Sequence, residues 1–477
     1  MRKLLLLFLL FPFLGLSQIQ FISDFKDRTK HDSSGHVLSL SEKGNIIAIG
    51  VPDNNGINQG NAHVRIYKQA SGIWTQIGSD IRGKITEDVY GVSVSLSGDG
   101  NSVAVSFIGN DRNGKINGYI SVYKNESEEW IQIGSDIKVN SVNQILNLSV
   151  NLSEKGDIIA IGLNQENGAE KNQSKVSVYK NRLGDWYQIG NDIVSQSKEN
   201  KASNLPVSLA KNGNTIAIAF KASKVSVYEN RSENWIQTRN NISIESIEET
   251  INEVCLSKDG SIIVIGVIAK ENQKSYVSVY KNESGSWTQI GNAIKADSEL
   301  YNSGYSVGIS DDGNNIATGR YNLNNNKGDV SIYKNKSGNW IQIGVDIVNK
   351  SSQKFPGFGS SISLSGDGNS IAIGAISDNT NSPISGEVKI IDLTQMLLKE
   401  EQAQFNFNLY PNPAQNLFKI QLENNRVSEN IRIYNNIGQL VLTSKETIIN
   451  SSTLSTGLYV VEIETNLGKS SKKLIIE

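Results

Sequence analysis

A short glycine turn, clearest as "SGDGN", recurs seven times along this chain, and no other feature constrains the fold as tightly. Its glycines are Gly44, Gly100, Gly156, Gly213, Gly260, Gly313 and Gly368, with successive spacings of 56, 56, 57, 47, 53 and 55 residues. Self-similarity at such a period marks a repeat architecture. Each turn follows an alternating segment such as Ser93 to Ser97 and precedes an apolar one such as Ser102 to Phe107. Asx-Gly between two such runs predicts a hairpin, because glycine takes the positive φ that a tight turn needs.

Two further strands complete each repeat. The third reads "YISVYK" at Tyr119 to Lys124, and a short polar turn leads to a fourth, "WIQIGSDI", at Trp130 to Ile137. All six tryptophans, Trp74, Trp130, Trp186, Trp235, Trp287 and Trp340, fall at the start of this fourth strand. They are one structural position repeated, opposite tyrosines such as Tyr123 and Tyr179, and that regularity predicts cross-strand and inter-blade packing rather than an aromatic binding box.

Four antiparallel strands per repeat, iterated seven times, predict an all-β fold: a seven-bladed β-propeller. The seventh repeat supplies only three strands, ending at Val388 to Leu393, without the usual Tyr and Trp. The missing strand lies near the N-terminus, where "IQFISDF" at Ile19 to Phe25 aligns with "IQIGSDI" at Ile131 to Ile137. The N-terminal strand is expected to close the last blade from the outside, protecting an edge that would otherwise stay unpaired. The "SVSLS" strands then lie innermost and the Trp strands at the rim.

This order sorts the connections onto two faces. The short turns share one face, and the long polar loops share the other. Loops held by a rigid scaffold carry a large share of binding groups. The candidate binding residues are therefore Asp53, Asn54, Asn110, Arg112, Asn324, Asp378 and Asn379.

The pattern "YGVSVSLSGDGNSVAVSF", a glycine-bearing polar loop, "GYISVYK" and "WIQIGSDI" resembles the FG-GAP-type propeller repeats related to the integrin α head. The resemblance spans about residues 18 to 393 and implies extracellular binding or adhesion, with calcium in the blade loops of some members. Calcium needs several oxygen ligands, usually with a bidentate carboxylate. The nearest approximations here, Asp53 with Asn55 and Asp111 with Asn113, have too few carboxylates, and Arg112 would put a positive charge beside the ion. No cofactor is expected. The aspartates of the short turns, including Asp99, Asp312 and Asp367, are expected to bond to local backbone.

Both ends carry address labels. Met1 to Lys3 followed by the apolar run Leu4 to Leu16 has the layout of a cleaved signal peptide, with the cut before Gln18. The run is too short to span a bilayer as a helix. At the other end, Asp392 to Gln404 breaks the repeat with a charged, helix-compatible stretch, and residues 394 to 404 read as a linker. Beyond it, alternating strands with Asn-rich and Gly-bearing turns predict a small Ig-like β-sandwich over residues 405 to 477.

That last segment resembles the type A C-terminal sorting domain of the type IX secretion system. Its matching positions are Tyr410, Pro411, Asn412, Pro413, Ile433 to Asn435, Gly438, Gln439, Leu454, Gly457, Leu458, Tyr459, Val460 and the terminal run from Lys472 and Lys473 to Ile475. The resemblance implies Sec export, passage across the outer membrane, and contact with the secretion machinery.

The remaining composition narrows function. Lys plus Arg is 46 against 48 Asp plus Glu, so the net charge of −2 gives no footprint for nucleic acid. One cysteine rules out an intrachain disulfide and a Cys-based metal cluster. The three histidines, His31, His36 and His63, crowd into the first repeat without convergent partners, and Cys255 inside an inner strand reads as a small core residue. The Asn-x-Ser sites at Asn125, Asn230, Asn282 and Asn335 read as turn chemistry rather than glycan acceptors. These observations favour a secreted or surface binding protein. The alternative is a polysaccharide- or peptide-acting hydrolase or lyase, which a group of carboxylates at the central channel would favour.

Overall fold

The structure is a computed structural model. It describes residues 20–26, 37–51, 62–84, 89–110, 116–139, 145–165, 173–195, 205–221, 223–238, 240–244, 249–269, 275–295, 302–322, 327–348, 357–375, 387–394, 396–397, 407–422, 428–465 and 468–477. The expected signal peptide lies outside them.

Seven antiparallel sheets come from the repeats; in six of them the strands follow sequence order outward from the innermost strand, and in the seventh the outermost place is taken by the first strand of the chain. The inner strands are Val37–Leu40, Val89–Leu96, Ile145–Leu152, Val207–Leu209, Thr250–Leu256, Asn302–Ile309 and Phe358–Leu364. Each contacts the next, and the last contacts the first, so the sheets form a closed ring with the propeller arrangement.

The hairpin glycines do what the sequence requires of them. All seven sit at φ between 65° and 75°, a region that a Cβ penalises. The neighbouring side chains finish the turn. In the second blade Ser97 Oγ accepts the Ser102 N–H at 2.9 Å and donates to Asp99 Oδ1 at 2.6 Å, while Asp99 also accepts the Asn101 N–H at 2.9 Å. Asp312 and Asp367 repeat this bonding.

Ring closure follows the expected strand exchange. Strand Gln20–Lys26 pairs antiparallel with Glu387–Asp392, with Gln20 opposite Asp392 and Lys26 opposite Glu387. It is the outermost strand of the seventh sheet.

The fourth strand departs from expectation. In five of the blades it is broken into two pieces, as in Glu129–Gln132 and Ile137–Val139, both paired to the third strand Ile116–Glu126. The break falls at "IGSD", where Gly134 takes φ 69°. Polar side chains fill the interruption: Gln132 Nε2 donates to Asp136 Oδ1 at 2.8 Å, and Ser121 Oγ on the third strand donates to the same oxygen at 2.6 Å. The same triplet recurs as Ser177, Gln188 and Asp192. It recurs again as Ser331, Gln342 and Asp346 in the sixth blade, where the fourth strand Asn339–Val348 runs unbroken and only shifts register between Val330 and Ile332.

Tryptophan packs where the repeat predicts, between blades. Trp130 Nε1 donates to the Ile77 carbonyl at 3.0 Å, Trp186 to Ile133 at 3.1 Å and Trp340 to Ile290 at 3.0 Å, each in the preceding blade. The Asn-x-Ser positions are turn residues: Asn125 Oδ1 accepts the Glu128 N–H at 2.9 Å and Asn335 Oδ1 the Gly338 N–H at 2.9 Å. The start of the linker segment is docked on the propeller. Met396 and Leu397, in a helical turn, are buried against Ile343, Ile347 and Leu393.

The C-terminal segment forms two sheets. One holds Phe407–Tyr410, Leu417–Leu422 and Ile448–Asn450. The other holds Leu440–Ser444, Ser428–Asn435, Gly457–Thr465 and Gly468–Ile476 in that spatial order. A shared core of Phe407, Phe418, Ile431, Ile433, Val461 and Leu474 makes them a β-sandwich.

Candidate functional site

The loop residues singled out by sequence fall mostly outside the described residues: Asp53, Asn54, Asn55, Asp111, Arg112, Asn113, Asn324, Asp378 and Asn379. Asn110 is the exception, ending its strand opposite Ile116. Among the described residues no group of three or more His, Cys, Asp or Glu could hold a metal ion. His63 opens a third strand, is 5% exposed, and lies 3.8 Å from Asp80. Burial works against the ionised form of Asp80, but Gln76, Arg65, His63 and Arg82 outweigh it and hold the carboxyl below its ordinary value. His31 and His36 lie outside the described residues.

What the structure adds is the axial channel. All seven inner strands line a cavity of about 500 Å³. An inner strand has one edge without a neighbour, so its backbone N–H groups need other partners. Serines of the adjacent blade supply them: Leu40 N–H donates to Ser363 Oγ, Leu96 N–H to Ser39 Oγ and Leu152 N–H to Ser95 Oγ, each at 2.9 Å, and Leu256 N–H donates to Ser208 Oγ at 3.0 Å. The serines thus have a bonding task beyond their small size.

Two residues of the fifth blade replace serine in this scheme. Cys255 stands at the position of Ser95, and Glu253 at the position of Ser93 and Ser149. Glu253 Oε2 accepts the Val307 N–H at 2.7 Å. Burial pushes the Glu253 carboxyl up to about 7, against the pull of that bond. Burial, and then the Glu253 charge, push the Cys255 thiol up to about 12. Glu253 is the one carboxylate among the described wall residues of this cavity. Sequence reading missed it, although its place in a serine column was the available signal.

In the C-terminal sandwich the sorting positions converge on the last strand. Asn412 spans two of its residues: Nδ2 donates to the Lys473 carbonyl and Oδ1 accepts the Ile475 N–H, both at 2.9 Å. Ala414 N–H donates to the Ile475 carbonyl at 2.8 Å and Glu477 N–H to the Ala414 carbonyl at 2.9 Å. The peptide bonds before Pro411 and Pro413 are cis. Tyr459 is buried with its hydroxyl on the Ser455 carbonyl at 2.7 Å, just after Gly457. Gly438 turns a hairpin at φ 80°. Lys472 Nζ lies 5.7 Å from the Phe407 ring centroid, and Lys473 is exposed.

Residues 408–477 match the model of the secretion system C-terminal sorting domain. The sorting domain directs export by type IX secretion to the cell surface or the medium, and implies contact with that machinery. No described helix is long and apolar enough to cross a membrane. No curated protein sequence matches the chain.

Two similar solved structures are a protein from Lactobacillus plantarum and a putative 6-phosphogluconolactonase from Bacteroides uniformis. The first is 11% identical at TM-score 0.45 and the second 12% identical at TM-score 0.44; each alignment covers 66% of this chain and 85% of the other. At such scores they carry no argument about activity.

Proposed function

We propose that this is an exported propeller that binds a partner, of glycan, matrix or surface-protein class, through the face carrying its long polar loops. The observation behind this reading is the joining of a sorting domain to a ring closed by its own N-terminal strand, a frame of the kind that carries binding groups on its connections. The likeness of the repeats to FG-GAP-type propellers supports the same class of role.

A second reading, a secreted hydrolase or lyase, has one observation in its favour. Glu253 titrates near neutral pH, as a general acid or base would. Probing the chain from residue 18 onward against glycan and surface-protein arrays, with a hydrolase panel in parallel, separates the two. Saturable binding without turnover is expected; turnover without stable binding would reverse the order.

A further inference from the structure

The turn-face mouth of the channel is encircled by the residues that follow each inner strand: Glu42, Gly98, Glu154, Lys211, Lys258, Asp311 and Gly366. Their backbones form a continuous belt. Glu42 N–H donates to the Gly98 carbonyl at 2.8 Å, Gly98 to Glu154 at 2.9 Å and Glu154 to Lys211 at 2.8 Å. The circuit continues from Asn212 to Lys258 at 3.0 Å, Lys258 to Asp311 at 3.2 Å, Asp311 to Gly366 at 2.8 Å and Asp367 back to Glu42 at 2.9 Å.

Inside this belt the charged side chains meet across the axis. Lys258 Nζ lies 2.8 Å from Glu154 Oε1, 3.4 Å from Glu42 Oε1 and 3.9 Å from Asp311 Oδ2. Lys211 Nζ holds the other oxygen of Asp311 at 2.6 Å. Glu154 and Glu42 belong to the third and first blades, neither of which adjoins the fifth, so Lys258 joins blades that share no strand pairing. The hydrogen bond that Lys258 donates to Glu154, followed by the Glu42 charge, raises the Lys258 pKa and keeps the group cationic, although burial works the other way.

The two glycines of the belt make room for this convergence. A Cβ on Gly98 would come within 2.7 Å of Glu154 Cγ, and one on Gly366 within 2.5 Å of Asp311 Oδ2. Both positions are therefore kept clear by the carboxylates that surround Lys258.

We propose that Lys258 is an axial latch, which seals the turn-face mouth of the channel by bridging Glu154, Glu42 and Asp311 over its opening. The seal does not depend on which ligand the opposite face takes. It is electrostatic and partly exposed, so salt weakens it.

Cys255, the chain's one cysteine, lines the channel and precedes Lys258 by three residues, close enough to Lys211 and Asp311 to feel their charges. It is a native reporter of the mouth. The test is the rate at which a small neutral methanethiosulfonate labels Cys255 in the full chain. With the latch in place, Lys258→Ala is expected to label at least about fivefold faster than the parent, and Lys258→Arg within about twofold of it. Raising the salt from low to molar concentration is expected to accelerate the parent but not Lys258→Ala. Gly98→Ala, which displaces Glu154 and leaves Lys258 in place, is expected to accelerate labelling too, and covers the case in which Lys258→Ala does not fold. Equal rates in the parent and whichever of these variants folds, with no salt response in the parent, would overturn the latch.

Discussion

Trp186 reaches back one blade, where its indole Nε1 donates to the Ile133 carbonyl at 3.1 Å and its ring lies over Gly134, at which a Cβ would meet Trp186 Cδ1 at 3.2 Å. This contact joins the rim of one blade to the next, and Trp130 and Trp340 repeat it around the ring. Trp186→Phe keeps most of the ring but leaves the carbonyl without its donor, so a loss of about 1–2 kcal/mol is expected in urea unfolding. Gly134→Ala is expected to cost at least as much, because the residue sits at φ 69° and its Cβ would lie 2.5 Å from the Gly184 carbonyl oxygen. An unchanged midpoint in both variants would remove the contact from the list of stabilising features.

The borrowed strand makes a second prediction. A chain beginning at residue 27 lacks Gln20–Lys26 and exposes the backbone edge of Glu387–Asp392. Open edges recruit other strands. The truncated protein should therefore unfold at lower temperature and self-associate in light scattering at concentrations where the parent stays monodisperse. A free peptide of the Ile19 to Lys26 sequence should suppress that association.

Glu253 gives the pH dependence. Its carboxyl titrates at about 7 in the folded chain, above the ordinary value, so the folded state holds the proton more tightly than the unfolded one. The protonated form carries the stability: it is fully present below about pH 4.5 and lost as pH rises to about 7, by roughly 3 kcal/mol. Glu253→Gln removes this slope. The variant should match the parent near pH 4 and exceed it in thermal midpoint at pH 8. A parent that outlasts the variant at pH 8 would contradict the assignment.

Asn412 couples the sorting motif to the end of the chain through its two bonds to the last strand. Asn412→Ala removes both, and at this exposed site a loss of about 1–2 kcal/mol in sandwich stability is expected. In cells, cell-surface or secreted protein should fall and periplasmic protein rise. Asn412→Asp, which keeps the acceptor for Ile475 N–H but not the donor, should fall between the two. Undiminished export of the alanine variant, with the domain destabilised as expected, would show that the bonds matter to folding alone.

Most of the architecture was legible because repetition multiplies weak local signals. One glycine turn suggests a hairpin; seven in register, with six tryptophans at one position, specify strand order, radial direction and the blade that lacks a strand. The break in the fourth strand was not legible. "IGSD" lies in an apolar alternating run, and only the structure shows that Gln132 and Ser121 bond to Asp136 where the pairing is interrupted, or, in the sixth blade, where the same triplet accompanies a register shift.

Taken alone, the sequence determined the all-β repeat, the strand borrowed for closure and the sorting tail, since each is written in residues close together or in a repeated register. Only the tertiary structure decided the channel and the latch. Glu42, Glu154, Lys258 and Asp311 are up to 269 residues apart, and their order along the chain carries no information about reach across an axis. Ring geometry brings them within bonding distance. The same closure gives Glu253 its burial and hence its raised pKa, because desolvation is a property of the neighbours that the assembled blades supply.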